Sequence, residues 1–74
     1  MFQIDNYRVG GQTYTVKCFP IPQDNEIDFE VWDSEGGYVA TVTSNRPDLS
    51  TSVLWKYLNG IPTDAVTFVS TWGN

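Results

Sequence analysis

The sequence predicts an α+β fold: a mostly antiparallel sheet of about five short strands, in the order β-β-β-β-α-β, with one helix packed on one face. Three observations predict it. Apolar and polar residues alternate with a period of two in several short segments before residue 45 and again after residue 64. Glycine pairs, Gly10-Gly11 and Gly36-Gly37, stand between such segments where tight turns are needed. A single stretch near 49–59 has helical spacing of its apolar residues, and Gly60 and Pro62 close it.

Phe2 and Ile4 alternate with polar residues, and residues 7–9 continue in extended form. Gly10-Gly11 suits a two-residue hairpin turn, because both residues can take positive φ. Residues 13–19 follow as β-branched and aromatic residues, with Tyr14, Val16 and Cys18 on one face and Thr13, Thr15 and Lys17 on the other. Pro20 and Pro22 are expected to end that strand, since proline donates nothing to a ladder. Asp24-Asn25 opens a turn into residues 26–33, the clearest strand in the chain. There Ile27, Phe29 and Val31 face one way, and Glu26, Asp28, Glu30 and Trp32 the other. Residues 34–37 form a hairpin loop, and residues 38–43 return as a strand with Val39 and Val42 as its β-branched apolar members.

Asn45-Arg46-Pro47 breaks the sheet, and Asp48 or Ser50 is placed to cap the helix. Leu49, Val53 and Tyr57 fall on one helical stripe, which Leu54 and Leu58 widen. Residues 65–72 make the last strand, with Val66 and Phe68 expected on one face. The strand order is not readable from these patterns. The short link from helix to last strand only implies that this strand joins the same sheet.

All 74 residues belong to a single domain, 1–74, whose core must be thin at this length. Its one cysteine, Cys18, excludes an internal disulfide, and the absence of histidine excludes zinc sites of the Cys/His kind. Eleven aromatic residues supply the buried area that such a chain needs. The lone cysteine suits a reducing compartment, and no signal peptide or membrane-length apolar run is present. The chain opens on Met1 and is expected to be a complete product of the cytoplasm of a bacterial host cell.

Nine acids against four bases leave a net charge of −5, which repels nucleic acid and anionic membrane and favours basic partners. Catalytic readings fail for want of parts. Cys18 lies inside a strand pattern with no histidine to activate it, the two lysines have no supporting charges, and neither glycine pair sits between a strand and a helix as a phosphate loop would. No enzyme activity and no cofactor are expected. Asp24, Glu26 and Asp28 are hard oxygen ligands, so a weak carboxylate metal-binding domain is one alternative, but their spacing is that of a strand face rather than a calcium loop.

The charge is concentrated. Six of the nine acids, Asp24, Glu26, Asp28, Glu30, Asp33 and Glu35, lie within twelve residues. Glu26, Asp28 and Glu30 share a face, roughly 6.6–6.8 Å from one to the next at the strand rise. The bland reading is a solvated strand face that also keeps a sheet edge from pairing. Trp32 belongs to the same face by parity, and Trp55 lies on the polar arc of the helix. Tryptophan exposed on a small domain is typical of binding surfaces. These eight residues, Asp24, Glu26, Asp28, Glu30, Trp32, Asp33, Glu35 and Trp55, form the candidate partner-binding set. Carboxylates in a row beside an indole imitate phosphates beside a base, so the expected partner is a basic host protein, of the nucleic-acid-binding kind, with no direct contact to nucleic acid or membrane. The other alternative is an assembly protein that forms a homodimer or larger homo-oligomer through exposed tryptophan.

Residues 29–48, Phe-Glu-Val-Trp-Asp-Ser-Glu-Gly-Gly-Tyr-Val-Ala-Thr-Val-Thr-Ser-Asn-Arg-Pro-Asp, resemble a segment of small uncharacterised proteins of bacterial phages and conjugative elements. The shared pattern is a strand, an acidic glycine turn, and a second strand ending in Asn-x-Pro. Arg46 departs from it, standing where an apolar residue is more typical. The resemblance covers about a quarter of the chain and implies a mobile-element accessory protein, a group that includes inhibitors of host defences such as anti-CRISPR proteins. It transfers no functional residue.

Overall fold

A computed structural model describes residues 1–71, apart from the side chains of Leu49 and Ser50. Trp72, expected in the last strand, and the Leu49 side chain, expected at the head of the helical stripe, lie outside that description. The chain is α+β, as its patterning requires. Strands β1 (Phe2–Val9), β2 (Gln12–Ile21), β3 (Glu26–Asp33) and β4 (Tyr38–Ser44) precede helix α1 (Ser50–Leu58), and β5 (Val66–Thr71) follows it. The five strands form one antiparallel meander in sequence order, so β1 and β5 are its edges.

Local chemistry accounts for the turns. Gly10 and Gly11 take φ of 56° and 80°, as a type I′ turn between Val9 and Gln12 demands. Gly60, at φ 70°, ends α1: its N–H donates to the Tyr57 carbonyl at 3.0 Å, and Ile61 N–H donates to the Lys56 carbonyl at 2.9 Å. That pair of bonds is the Schellman closure of a helix. A 3₁₀ turn, Pro47–Leu49, leads into α1, and the Asp48 carboxylate there pairs with Arg46 at 3.2 Å. The Asn45 N–H donates to the Ala65 carbonyl at 2.9 Å, so β5 starts where β4 ended. The helix is therefore an excursion within a β4–β5 hairpin.

The core lies between α1 and one sheet face. Val16, Cys18, Ile27, Phe29, Val31, Val42 and Leu54 form its buried cluster, and Ile4, Tyr7, Tyr14, Val39, Tyr57, Leu58, Val66 and Val69 pack around it. The Tyr7 hydroxyl on β1 donates to the Thr51 carbonyl of α1 at 3.0 Å, pinning the helix across the sheet. Buried Ser44 is satisfied, since its hydroxyl oxygen accepts the Arg46 N–H at 3.0 Å.

Two sequence expectations need correction. The second strand does not end at Pro20 but runs through it to Ile21. The partner strand β1 stops opposite Cys18, so Pro20 lies on an open stretch of β2 where a missing N–H costs no ladder bond. Val66 and Phe68 do not share a face. Thr43 pairs with Phe68 but Ser44 pairs with Val66, so one extra residue, Thr67, bulges from β5. The bulge reverses parity: Val66 packs on the core, and Phe68 emerges on the other face, 63% exposed.

Candidate functional site

The sheet face opposite α1 is covered by no described element. Strand parity brings Glu26, Asp28, Glu30 and Trp32 onto it together, because Ile27, Phe29 and Val31 are drawn to the core. Each member of the row is held by a neighbour. The Trp32 Nε1–H donates to Glu30 Oε1 at 2.8 Å. The Thr43 hydroxyl donates to Asp28 Oδ1 at 2.7 Å. The Thr67 hydroxyl reaches toward Glu26 Oε2 at 3.5 Å, a long and weak contact.

The row is not purely acidic. Lys17 stands opposite Glu30 in the β2–β3 register, and its ammonium lies 5.2 Å from the centroid of the Trp32 ring. At that distance the cation is attracted to the indole face. The sequence near the acids contains no base; pairing with β2 brings one in. Tyr38 meets Trp32 edge to face with ring centroids 5.3 Å apart. A bulge between Val31 and Trp32 puts Tyr38 there, pairing Val31 with Ala40 but Trp32 with Tyr38. The Tyr38 hydroxyl is shared with Thr41 Oγ1 at 2.6 Å and reaches the Ser70 carbonyl at 3.2 Å.

Besides Tyr38, two further aromatic residues outside the expected set join this face. Phe19 pairs with Asp28 on one side, and Phe68 pairs with Thr43 on the other. A line across the sheet therefore reads Phe19, Asp28, Thr43, Phe68, with the two phenyl groups 37% and 63% exposed. Phe19 was legible, since it continues the Thr15, Lys17 parity of its strand. Phe68 was hidden by the bulge at Thr67.

The remaining candidates are dispersed. Asp24 is exposed in the 3₁₀ turn Pro22–Asp24 before β3, and Glu35 is exposed in the β3–β4 turn. Asp33 belongs to that turn's architecture, its Oδ1 accepting the N–H of Glu35 at 2.9 Å and of Gly37 at 2.8 Å. Trp55 is 46% exposed on the outer side of α1, so the helix and the sheet separate it from the carboxylate row. Trp32 is half-buried between Lys17 and Tyr38.

An open hollow of about 430 Å³ lies at the Trp32 end of the face, lined by Thr15, Lys17, Trp32, Asp33, Ser34 and Gly36. Among the described residues no group of three or more His, Cys, Asp or Glu side chains converges as a metal site. Cys18 is buried, and that burial pushes its thiol above the ordinary range, away from the thiolate that nucleophilic chemistry uses. No helix of the described residues is long and apolar enough to cross a membrane. The chain matches no known family, no curated protein and no solved structure.

Proposed function

We propose that this chain is a non-enzymatic binding module of the inhibitor or decoy kind, carried by a phage or mobile element. In this reading the open sheet face occupies a basic, nucleic-acid-handling surface of a host protein in the bacterial cytoplasm. The observation that carries the reading is the uncovered face itself. A small domain gains nothing by leaving Phe19 and Phe68 in water, and Asp28 stands in line between them with Glu26 and Glu30 to either side along β3, carboxylates suited to cationic side chains. The hydrogen bonds from Trp32 and Thr43 hold two of those carboxylates in place before any partner arrives, which lowers the ordering cost of binding. The lack of histidine leaves no serine–histidine or cysteine–histidine pair, and Cys18 is buried, which supports a binding role over a catalytic one.

The test uses the protein as bait in a bacterial lysate at low and high salt, beside the triple variant Glu26→Gln, Asp28→Asn, Glu30→Gln. Amide oxygens still accept the Trp32 and Thr43 hydrogen bonds, so the fold is unaffected. The expected partner is a nucleic-acid-handling protein that is released by salt and by a competing oligonucleotide. The triple variant should bind it on the order of a hundredfold more weakly at low salt. Retention of the same partner by the triple variant at undiminished affinity sinks the reading. The exposure of Trp55 favours a second one, an assembly protein that meets its own copies through the outer face of α1. Trp55→Ser would then lower the molar mass in solution and leave the lysate partner unaffected.

A further inference from the structure

We propose that β5 is a pairing edge for a second copy of this chain, so that two copies form one continuous sheet. The two edges of the sheet differ in how they are defended. β1 carries Asp5 and Arg8 and is bent by a bulge between Ile4 and Tyr7, with Asn6 in the left-handed region at φ 57°. Charges and bulges are the devices by which edge strands avoid other chains. The opposite edge has little of this. β5 reads Val-Thr-Phe-Val-Ser-Thr, with no charge and no proline, and its one bulge sits at its start, at Thr67. Four of its six residues are β-branched, and Phe68 beside them is 63% exposed. Alternate backbone N–H and C=O groups along an edge strand point away from the sheet, and an added strand satisfies them.

Electrostatics select the occupant. A net charge of −5 opposes self-association, but the charges lie elsewhere. The neighbouring strand β4, Tyr-Val-Ala-Thr-Val-Thr-Ser, is also uncharged. Antiparallel pairing of β5 with its own copy is self-complementary about a two-fold axis normal to the sheet. It places the two β3 rows five strand spacings apart, about 24 Å at ~4.8 Å each. The Debye length is about 8 Å at physiological ionic strength, so the rows scarcely repel. Glu26, which the Thr67 hydroxyl reaches, and Asp64, two residues before β5, are both carboxylates at the Val66–Thr67 end of the strand. Antiparallel pairing sets that end against the far end of the partner's strand. Both helices then lie on one side and both acidic faces remain open on the other. The pairing is thus independent of what the acidic face binds.

Sedimentation from micromolar to millimolar protein, with amide exchange at each end of that range, tests the proposal. The expected result is a concentration-dependent doubling of mass, together with slower exchange of β5 amides in the concentrated sample. Phe68→Lys, at an exposed position near the middle of β5, should weaken the dimer by at least about tenfold, because it sets like charges close to the two-fold axis. Gln3→Lys on β1 should leave it unchanged. The amide exchange of the unaltered protein decides the matter even if a lysine variant fails to fold. A chain that stays monomeric throughout overturns the proposal, and so does a dimer whose β5 amides exchange at the monomer's rate.

Discussion

A Cβ built on Gly37 would lie 2.7 Å from Asp33 Oδ2 and 3.2 Å from Asp33 Cγ. That carboxylate cannot simply swing aside, because its other oxygen accepts the N–H groups of Glu35 and Gly37 that shape the β3–β4 turn. Gly37→Ala should therefore break the turn's side-chain bonds and lose roughly 1–3 kcal/mol of stability. The midpoint of urea unfolding should fall at constant slope. Asp33→Ala removes the obstacle and the same bonds together, so the double variant should lose much less than the sum of the two single losses. Strict additivity would show that the clash is not what Gly37 avoids. The same residues show what acidity alone conceals: a carboxylate followed by Ser-Glu-Gly-Gly has backbone N–H groups within reach, and Asp33 uses them, whereas Glu35 in the same run does not.

Elements were legible where their signals are local, and illegible where an extra residue intervenes. The alternation of Glu26 with Ile27 through to Trp32, the φ-positive glycine pair at the first turn and the Gly60 closure of the helix all depend on a few adjacent residues. Strand order, the Lys17–Glu30 pairing and the reversal at Thr67 depend on register between strands, which no single segment encodes. Half of the candidate site, Glu26 to Trp32, followed from parity. Phe68 and Tyr38 did not, because each reaches the open face through a bulge. Helix α1 was readable from its stripe, and Leu54 is its fully buried anchor. Leu54→Ala should cost about 2–5 kcal/mol. A chain of 74 residues has roughly 4–11 kcal/mol in total, so the helix should detach or the domain unfold near ambient temperature. Trp55→Ala, one residue along on the exposed side, should change the melting temperature little. Equal losses from both substitutions would mean that α1 is not seated as described.

The whole molecule is a two-layer body with a radius of gyration of 11.5 Å, and in so thin a core one thiol registers in the pH dependence of folding. Cys18 sits within the buried cluster, and desolvation raises its pKa above the ordinary value of 9.0. Tyr7 is raised above 10.0 by the same cause. In the unfolded chain both groups return to those ordinary values. Above about pH 9 the unfolded chain sheds the thiol proton while the folded chain keeps it, so the folded state binds more protons and stability falls as pH rises. The contribution is complete below the unfolded thiol's pKa and is lost progressively as pH climbs through the folded one. The slope for one thiol is at most about 1.4 kcal/mol per pH unit. With no histidine in the chain, no side chain has its ordinary pKa between the carboxylates and the thiol. Melting temperature should therefore be flat between about pH 6 and pH 8 and then fall. Cys18→Ala should start lower, because it leaves a small void, but decline less steeply through the first pH unit above 9. Tyr7→Phe should flatten the region beyond 10, after an initial loss of roughly 0.5–1.5 kcal/mol for the hydrogen bond to Thr51. Calorimetry of the three proteins across this range separates the contributions. If the Cys18→Ala curve runs parallel to the parent's at every pH, the thiol ionises as readily in the folded chain as in the unfolded one, and the core around Val16, Phe29 and Leu54 admits water.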